Sequence, residues 1–229
     1  MTASTGPRAA RTSRSAAAWR AVAAAEVAVA VALVLLDVLL PAVLLVAVAG
    51  VSLVLRRQPP STLGFHRPPH PWRLVGQMAL FALAWTLLNV AVIIPVTNHL
   101  SGTRQDLSAF ADLQGNVTLL VAYLAASWLL AAFCEETAFR GYLLTRLTEV
   151  PGTGRARTTV AVLVSSLLFG LLHTEQGVVG VVAAMLAGVV LSVLRLRCRT
   201  LWAPVLAHGF DDTLGFVWFF FFGPFYGLW

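Results

Sequence analysis

The sequence predicts an all-α protein: a polytopic transmembrane helix bundle of about seven spans, with room for an eighth, and with its N-terminus in the cytoplasm. Three observations support this fold class. Hydrophobic residues make up 59% of the 229 residues and charged residues only 11%, whereas soluble domains carry about 25% charged residues. Apolar stretches recur at the length of roughly 20 residues that crosses a bilayer. The 16 basic residues, all arginines, cluster between alternate stretches. This composition excludes a soluble globule and a disordered chain.

The first apolar block is too long for one crossing. It continues from residue 16 to residue 55, and Asp37 and Pro41 interrupt it. Because proline ends or kinks a helix and a charge is costly in the bilayer, we predict a hairpin of two spans, over residues 19–36 and 39–55. A third span is predicted over residues 74–96.

The second half of the sequence contains four further apolar stretches. The fourth span begins near residue 117 and stays compatible with a helix to about residue 150, which is longer than one crossing requires. Shorter spans follow over residues 159–173, 177–194 and 201–222. Pro224 and Gly227 argue against another full crossing in the residues that remain, because both weaken a helix.

Arginine placement orients the bundle. With the N-terminus inside, 14 of the 16 arginines lie in or beside cytoplasmic loops, as the positive-inside rule requires. Arg104 lies in an outer loop and Arg140 lies within the fourth helix. The net charge of +6 therefore reflects membrane topology, and we expect no nucleic-acid partner. We predict a multi-pass protein of the plasma membrane that contacts the lipid bilayer.

The composition divides the chain into four regions. We predict a disordered basic N-terminal tail over residues 1–15 and N-terminal transmembrane helices and loops over residues 16–116. A helix core that carries the polar residues follows over residues 117–222. An aromatic C-terminal tail occupies residues 223–229.

Ionisable side chains inside a membrane-spanning helix are costly and mark functional sites, and the fourth helix contains three of them. Glu135 and Glu136 are adjacent, and Arg140 follows Glu136 by four residues. Glu136 and Arg140 therefore share a helix face and are expected to pair, while Glu135 points elsewhere. Two carboxylates in one low-dielectric site do not both ionise readily, so one of them suits a general base for water. A structural ion pair explains Glu136 and Arg140 equally well, but it does not explain Glu135.

The fifth and seventh helices add histidines. Phe169 and His173 are four residues apart in the fifth helix, although a lone histidine at a helix end is more often interfacial than catalytic. His208 and Asp212 repeat this spacing in the seventh helix, with Asp211 turned away from their face. A neighbouring carboxylate can fix the tautomer and orientation of a histidine. Two acids and a histidine in mid-span therefore indicate function.

Hydropathy places two of these residues at different depths. Glu135 falls near the cytoplasmic end of its span, whereas His173 falls near the outer end of its own. One site requires both at the same depth. A fifth helix that ends in mid-membrane beside a cavity, or a fourth helix with its motif set deeper, would provide it.

These elements together resemble a known family. An EExxxR element, an FxxxH element and an HxxxD element follow one another along the chain: Glu135, Glu136 and Arg140, then Phe169 and His173, then His208 and Asp212. Their order resembles that of the CPBP family of intramembrane proteases, also called the CAAX protease/bacteriocin-processing or Abi family, which includes the type II CAAX prenyl endopeptidases. The resemblance covers about residues 117–214.

The resemblance implies hydrolysis of a peptide bond in a membrane-associated or lipidated protein or peptide. In its terms Glu135 activates the attacking water with His173 beside it, Glu136 and Arg140 support them, and His208 and Asp212 stabilise the oxyanion or orient the site. Asp212 stands where the family often carries Asn. Because an ionised Asp cannot donate a hydrogen bond, it must be protonated, act through His208, or bind a metal.

The resemblance leaves the use of a metal open. Glutamate-activated water with no required cofactor is our first expectation. Zinc is the alternative, and its ligands would be Glu135, His173, His208 and Asp212, all of which are acceptable zinc ligands. We expect the active site to open towards the cytoplasm.

Two other functions are compatible with the sequence. A non-catalytic member of the same scaffold would serve as an immunity or partner-binding membrane protein, but the complete polar set argues against it. A proton-coupled transporter would also place acids and histidines within the membrane. No inverted repeat of the kind found in many transporters is evident, which makes this third reading the weakest.

Overall fold

The computed structural model describes residues 7–150 and 154–229, and within these ranges the regular structure is entirely helical. Short 3₁₀ turns occupy three of the connections, at Pro60–Leu63, Ser108–Leu113 and Thr174–Gln176. Seven longer helices make up the described bundle: α1 Pro7–Leu35, α2 Pro41–Arg56, α3 Pro71–Ser101, α4 Val117–Glu149, α5 Gly154–Leu171, α6 Gly177–Cys198 and α7 Trp202–Phe222.

These helices match the seven predicted spans in order. Five of them are long and apolar enough to cross a membrane, namely α1 from residue 17 onwards, α3, α4, α6 and α7. The helix α2 and the apolar part of α5 are shorter. The chain is therefore a polytopic helical membrane bundle, as predicted. Residues 223–229 are not helical, so they provide no eighth span.

The first helix begins earlier than predicted. We predicted disorder over residues 1–15, of which residues 1–6 lie outside the described part of the chain, whereas α1 begins at Pro7. Proline is favoured at the first position of a helix, and the alanines that follow have the highest helix propensity. The predicted break after the first span is present. There Asp37 and Leu39 have positive φ angles of 46° and 54°, and α2 restarts at Pro41.

Two of the helices contain π-helical segments, in which backbone hydrogen bonds connect residue i to residue i+5. One lies in α3 at Asn89–Ile93, and two lie in α4 at Ser127–Glu135 and Thr137–Leu143. Such segments are frequent at functional sites. Those in α4 flank Glu136 on both sides, so the acidic pair lies where the helix is locally widened.

Close packing of α5 on α6 depends on two glycines. A Cβ atom added to Gly188 would lie 2.9 Å from Cα of Ser166, and one added to Gly170 would lie 2.8 Å from the carbonyl oxygen of Val181. No side chain fits at either position without displacing backbone. The two helices therefore approach closely, as small residues allow in membrane bundles.

A buried ionic cluster joins α1 and α2 to the end of α4. Arg56 contacts Glu26 at 2.6 Å and Glu149 at 2.7 Å, and Arg146 contacts the same two carboxylates at 3.3 Å and 2.5 Å. Arg146 is completely buried. The sequence offered no partner for Glu26, because both arginines lie on other helices. This cluster holds the first two helices against the core from which the candidate site is built.

Candidate active site

The predicted pair in α4 is present and buried. Nη1 of Arg140 donates to Oε1 of Glu136 across 2.9 Å, and both side chains are fully buried. The i, i+4 spacing predicted this pair. The same Oε1 atom also lies 2.9 Å from Nδ1 of His208, so one carboxylate oxygen connects a cation of its own helix to a histidine of α7.

His208 lies between two carboxylates. Its Nδ1 faces Glu136, and its Nε2 lies 3.6 Å from Oδ2 of Asp212, one turn further along α7. Asp212 has a second partner, because the hydroxyl of Ser127 in α4 donates to the same Oδ2 across 2.7 Å. The carboxylate of Asp212 therefore accepts from Ser127, and α4 and α7 are linked at two points on either side of the imidazole.

His173 lies just after the end of α5, where the helix meets a 3₁₀ turn. Its Nδ1 is 2.9 Å from the carbonyl oxygen of Phe169. Because a carbonyl only accepts hydrogen bonds, Nδ1 is the donor, and in the neutral ring Nε2 then carries the lone pair. The carbonyl of Phe169 thus fixes His173 through Nδ1, and Nε2 of His173 remains available.

The ring of Phe169 is the common contact of the site. The guanidinium carbon of Arg140 lies 4.0 Å from its centroid, which is a cation–π distance. The rings of His173 and His208 lie at centroid distances of 4.9 Å and 6.1 Å from it, both edge-on. His173 and His208 therefore flank one buried phenyl ring, which brings α5 and α7 to the same depth.

Glu135 lies beside this arrangement. Its Oε2 atom is buried and has no hydrogen-bond partner within the described residues. The carboxylate interacts electrostatically with His208, His173 and Asp212. The depths of Glu135 and His173, which hydropathy had separated, are therefore reconciled by the structure, since the short α5 ends where the widened part of α4 passes.

A cavity of about 670 Å³ opens beside these residues. Its walls come mainly from α3, α6 and α7 and are largely apolar. Its polar lining includes His173, His208, Asp211 and Asp212. Asp211 accepts a hydrogen bond from Thr86 of α3. An apolar cavity with a few convergent polar groups is the usual form of a small-molecule or peptide site.

The zinc alternative requires the four predicted ligands to form one group. Within residues 7–150 and 154–229, no group of three or more His, Cys, Asp or Glu side chains is arranged to hold a metal ion. The four residues predicted as ligands do not form such a group. Nδ1 of His173 contacts a carbonyl, Nδ1 of His208 contacts Glu136, and Oδ2 of Asp212 accepts from Ser127. A metal would therefore be bound through the other nitrogen of each histidine and the other oxygen of Asp212.

The six predicted site residues lie in one region. Four of them are linked by direct polar contacts, His173 is joined to them through Phe169, and Glu135 lies within electrostatic reach. Sequence reasoning missed Ser127 and Thr86, the hydroxyl donors to Asp212 and Asp211. Their one signal in the sequence is a hydroxyl within an apolar helix, which is common and weak. The catalytic roles of the six stay predictions.

Comparison with known proteins gives a match over the part of the chain that contains the candidate residues. An Escherichia coli protein described as an uncharacterized 24.3 kDa protein is 31% identical over 152 residues, which cover 64% of this chain and 63% of that protein. No solved structure matches the chain. The family model for the type II CAAX prenyl endopeptidase Rce1-like proteins matches residues 117–214. The resemblance predicted from the three motifs is thereby confirmed, and the matched segment contains all six candidate residues.

Proposed function

We propose that this protein is an intramembrane endopeptidase that hydrolyses a peptide bond by glutamate-activated water. The observation that carries the proposal is the position of His208, held between Glu136 and Asp212 at the wall of an apolar cavity that His173 also lines. Glu135 interacts electrostatically with both histidines. Peptide hydrolysis needs a base for water, a proton donor for the leaving amine and donors for the oxyanion. These residues supply all three.

The first step is attack by water. Glu135 takes a proton from the water as the water oxygen bonds to the carbonyl carbon, and the carbonyl oxygen becomes the oxyanion. The lone pair on Nε2 of His173 helps to orient this water. Glu135 then passes the proton to the amide nitrogen, the carbonyl re-forms as the C–N bond breaks, and a carboxylic acid and an amine leave. The carboxylic acid finally gives its proton to the amine or to water. Oε2 of Glu135, which is buried without a hydrogen-bond partner within the described residues, suits the base, because no competing donor has to be displaced.

His208 is the donor that we assign to the oxyanion. Nδ1 of His208 donates to Glu136, so Nε2 carries an N–H only in the protonated ring, for which Glu136 and Asp212 are the counter-charges. Nε2 lies 3.6 Å from Asp212, beyond a normal hydrogen bond, and its N–H is then available to a negative oxygen in the cavity. Asp212 accepts from Ser127 and therefore acts through His208. This arrangement accounts for an Asp at a position where a donating Asn is common. Loss of one oxyanion donor typically costs about 10²–10³ in kcat.

The lining of the cavity favours apolar substrates. We propose a membrane-associated protein or peptide, including a lipidated one, as the substrate class. The proposed reaction routes no step through a metal. The Rce1-like match of residues 117–214 supports peptide-bond hydrolysis as the reaction class. The position of the cleaved bond in the substrate has to be determined by experiment.

The proposed reaction does not specify the side of the membrane on which the cavity opens. The sequence led us to expect a cytoplasmic opening. Gln105 and Gln176, which line the cavity, lie in connections at the helix ends opposite the arginine-rich loops. If those loops are cytoplasmic, the cavity lies towards the outer face, and the labelling experiment described in the Discussion distinguishes the two sides.

The test compares purified wild-type protein with Glu135→Ala and His173→Ala on a panel of membrane-tethered peptides. Glu175→Ala is the matched control, because Glu175 is an exposed acid in the neighbouring 3₁₀ turn. We expect cleavage by wild type and by the control, and its loss in both site variants. Equal cleavage by all four proteins would refute the assignment. Activity that a chelator abolishes and zinc restores would replace the metal-free reaction with the zinc alternative.

A further inference from the structure

The segment Gly223–Trp229 returns from the end of α7 to the side of α3. It is not helical, and it begins at Gly223 with a positive φ of 78°. Two donors attach it to the backbone of α3: the N–H of Leu228 to the carbonyl of Val90 across 3.1 Å, and Nε1 of Trp229 to the carbonyl of Ala91 across 3.0 Å.

The sequence of α3 explains why these carbonyls are available. Val90 and Ala91 lie five and four residues before Pro95, so in a continuous π- or α-helix their carbonyls would accept from residue 95. Proline has no N–H to donate. Leu228 and Trp229 therefore provide donors that the helix lacks. Unpaired carbonyls are costly within a membrane, which gives the segment a defined place on α3.

The same segment closes part of the candidate cavity. Phe225 and Leu228 belong to the lining that also includes His173 and Asp212. The end of the segment is nevertheless exposed, because the side chains of Leu228 and Trp229 are 66% and 71% exposed. Nearer to α7 the segment is half-buried, and the carbonyl of Tyr226 accepts from Nδ2 of Asn98 across 2.8 Å. A wall of extended backbone held by a few hydrogen bonds separates easily compared with a packed helix.

We propose that the segment Gly223–Trp229 is a displaceable wall of the cavity, and that an extended substrate peptide reaches the site by taking its place on α3. An extended peptide presents a backbone N–H to the carbonyl of Val90, as Leu228 does, in the way that strands bind to exposed acceptors. A second donor of the peptide replaces the indole of Trp229 at the carbonyl of Ala91. Once the peptide is bound, the carbonyls of Val90 and Ala91 are paired again. This assignment of the binding groove rests on the proposed peptidase function, whereas the mobility of the wall does not.

The wall is tested by thiol labelling in detergent, without any activity assay. A reporter cysteine, Ala207→Cys, is placed at a position of the cavity lining that is 2% exposed, in a background with Cys134→Ser and Cys198→Ser. Two variants weaken the wall. Trp229→Phe removes one donor and keeps an aromatic ring, and Gly227→Ala places a Cβ 2.8 Å from Cγ of Pro95 at a φ of 101°.

Each variant has a matched control on another surface. Trp202→Phe alters a tryptophan that contacts Phe65 and Phe133, and Gly76→Ala adds a Cβ where nothing lies within 4 Å. Labelling of a buried thiol follows the open population. Loss of one hydrogen bond is expected to raise the maleimide labelling rate about fivefold. Both wall variants should show the increase and both controls should not, and an unchanged rate in the wall variants overturns the proposal.

Substrate binding tests the second half of the inference. If the segment must leave before a peptide binds, Trp229→Phe lowers KM by up to about fivefold and leaves kcat unchanged, because the competent fraction rises. A raised KM would contradict displacement. Faster labelling with no cleavage by wild type would reject the peptidase function and keep the displaceable wall. Cleavage that depends on Glu135, together with unchanged labelling, would keep the peptidase function and reject the displaceable wall.

Discussion

Oε1 of Glu136 lies 2.9 Å from Nδ1 of His208, and the two residues are 72 positions apart in the chain. This contact joins α4 to α7, and it uses the oxygen that Arg140 also contacts. A single buried carboxylate therefore neutralises the arginine and orients the histidine. Because both side chains of the Glu136–Arg140 pair are fully buried, removal of either charge leaves the other in a low-dielectric interior.

The substitution Glu136→Gln should therefore destabilise the protein. It keeps the size of the side chain but leaves the charge of Arg140 without a counter-ion, which costs about 3–5 kcal/mol for a buried pair. Thermal unfolding in detergent should show a clearly lower Tm. The control is the comparison of Glu175→Gln with wild type, because Glu175 is exposed. If Glu136→Gln melts with wild type, the pair is not buried as the structure describes it.

The aromatic centre of the site should be sensitive to Phe169→Leu. Leucine keeps an apolar side chain but loses the ring contacts to Arg140, His173 and His208, each worth about 0.5–1.5 kcal/mol. We expect cleavage to fall about tenfold, which corresponds to roughly 1.4 kcal/mol.

Phe133→Leu is the matched control for this change. Phe133 is also a residue of α4, and its ring contacts Phe65 and Trp202 instead of the residues around Phe169. It should lose stability without a comparable loss in the rate of cleavage per folded molecule. Equal losses of rate in the two variants would contradict a specific role for Phe169.

The interface between α5 and α6 should not tolerate Gly188→Ala. The new methyl group would meet backbone of Ser166 at 2.9 Å, and overpacking of this kind costs about 1–3 kcal/mol. In contrast, Gly76→Ala meets nothing within 4 Å and should stabilise α3 by up to about 1 kcal/mol. Chemical denaturation of both variants measures the difference, and similar stabilities would show that the helices are not in close contact at Gly188.

The orientation in the membrane is tested by two exposed positions. His70 lies in the loop before α3 and Thr103 in the loop after it. With the arginine-rich loops in the cytoplasm, a membrane-impermeant maleimide added to intact cells should label Thr103→Cys and leave His70→Cys unlabelled until the cells are lysed. The opposite pattern would reverse the orientation and place the cavity beside the cytoplasm.

Local patterns were sufficient for much of the fold. Stretches of apolar residues predicted seven helices in their correct order, because the length of a span follows from the thickness of the bilayer. The break at Asp37 and Pro41 and the Glu136–Arg140 pair followed from spacing within one or two turns. The start of α1 was misplaced, since the polar residues near the N-terminus concealed a helix that their alanines support.

Contacts between helices were beyond such patterns. No spacing rule pairs Glu26 with Arg56 and Arg146, or Ser127 with Asp212, because their partners lie on helices distant in sequence. The π-helical segments were also not predicted, since apolar residues fit α- and π-helices alike. Residue types and their order therefore specified which helices cross the membrane and which polar groups they carry. The packing of α4, α5 and α7 around Phe169 determined which of those groups meet, because that choice depends on interhelical distances that the linear sequence does not encode locally.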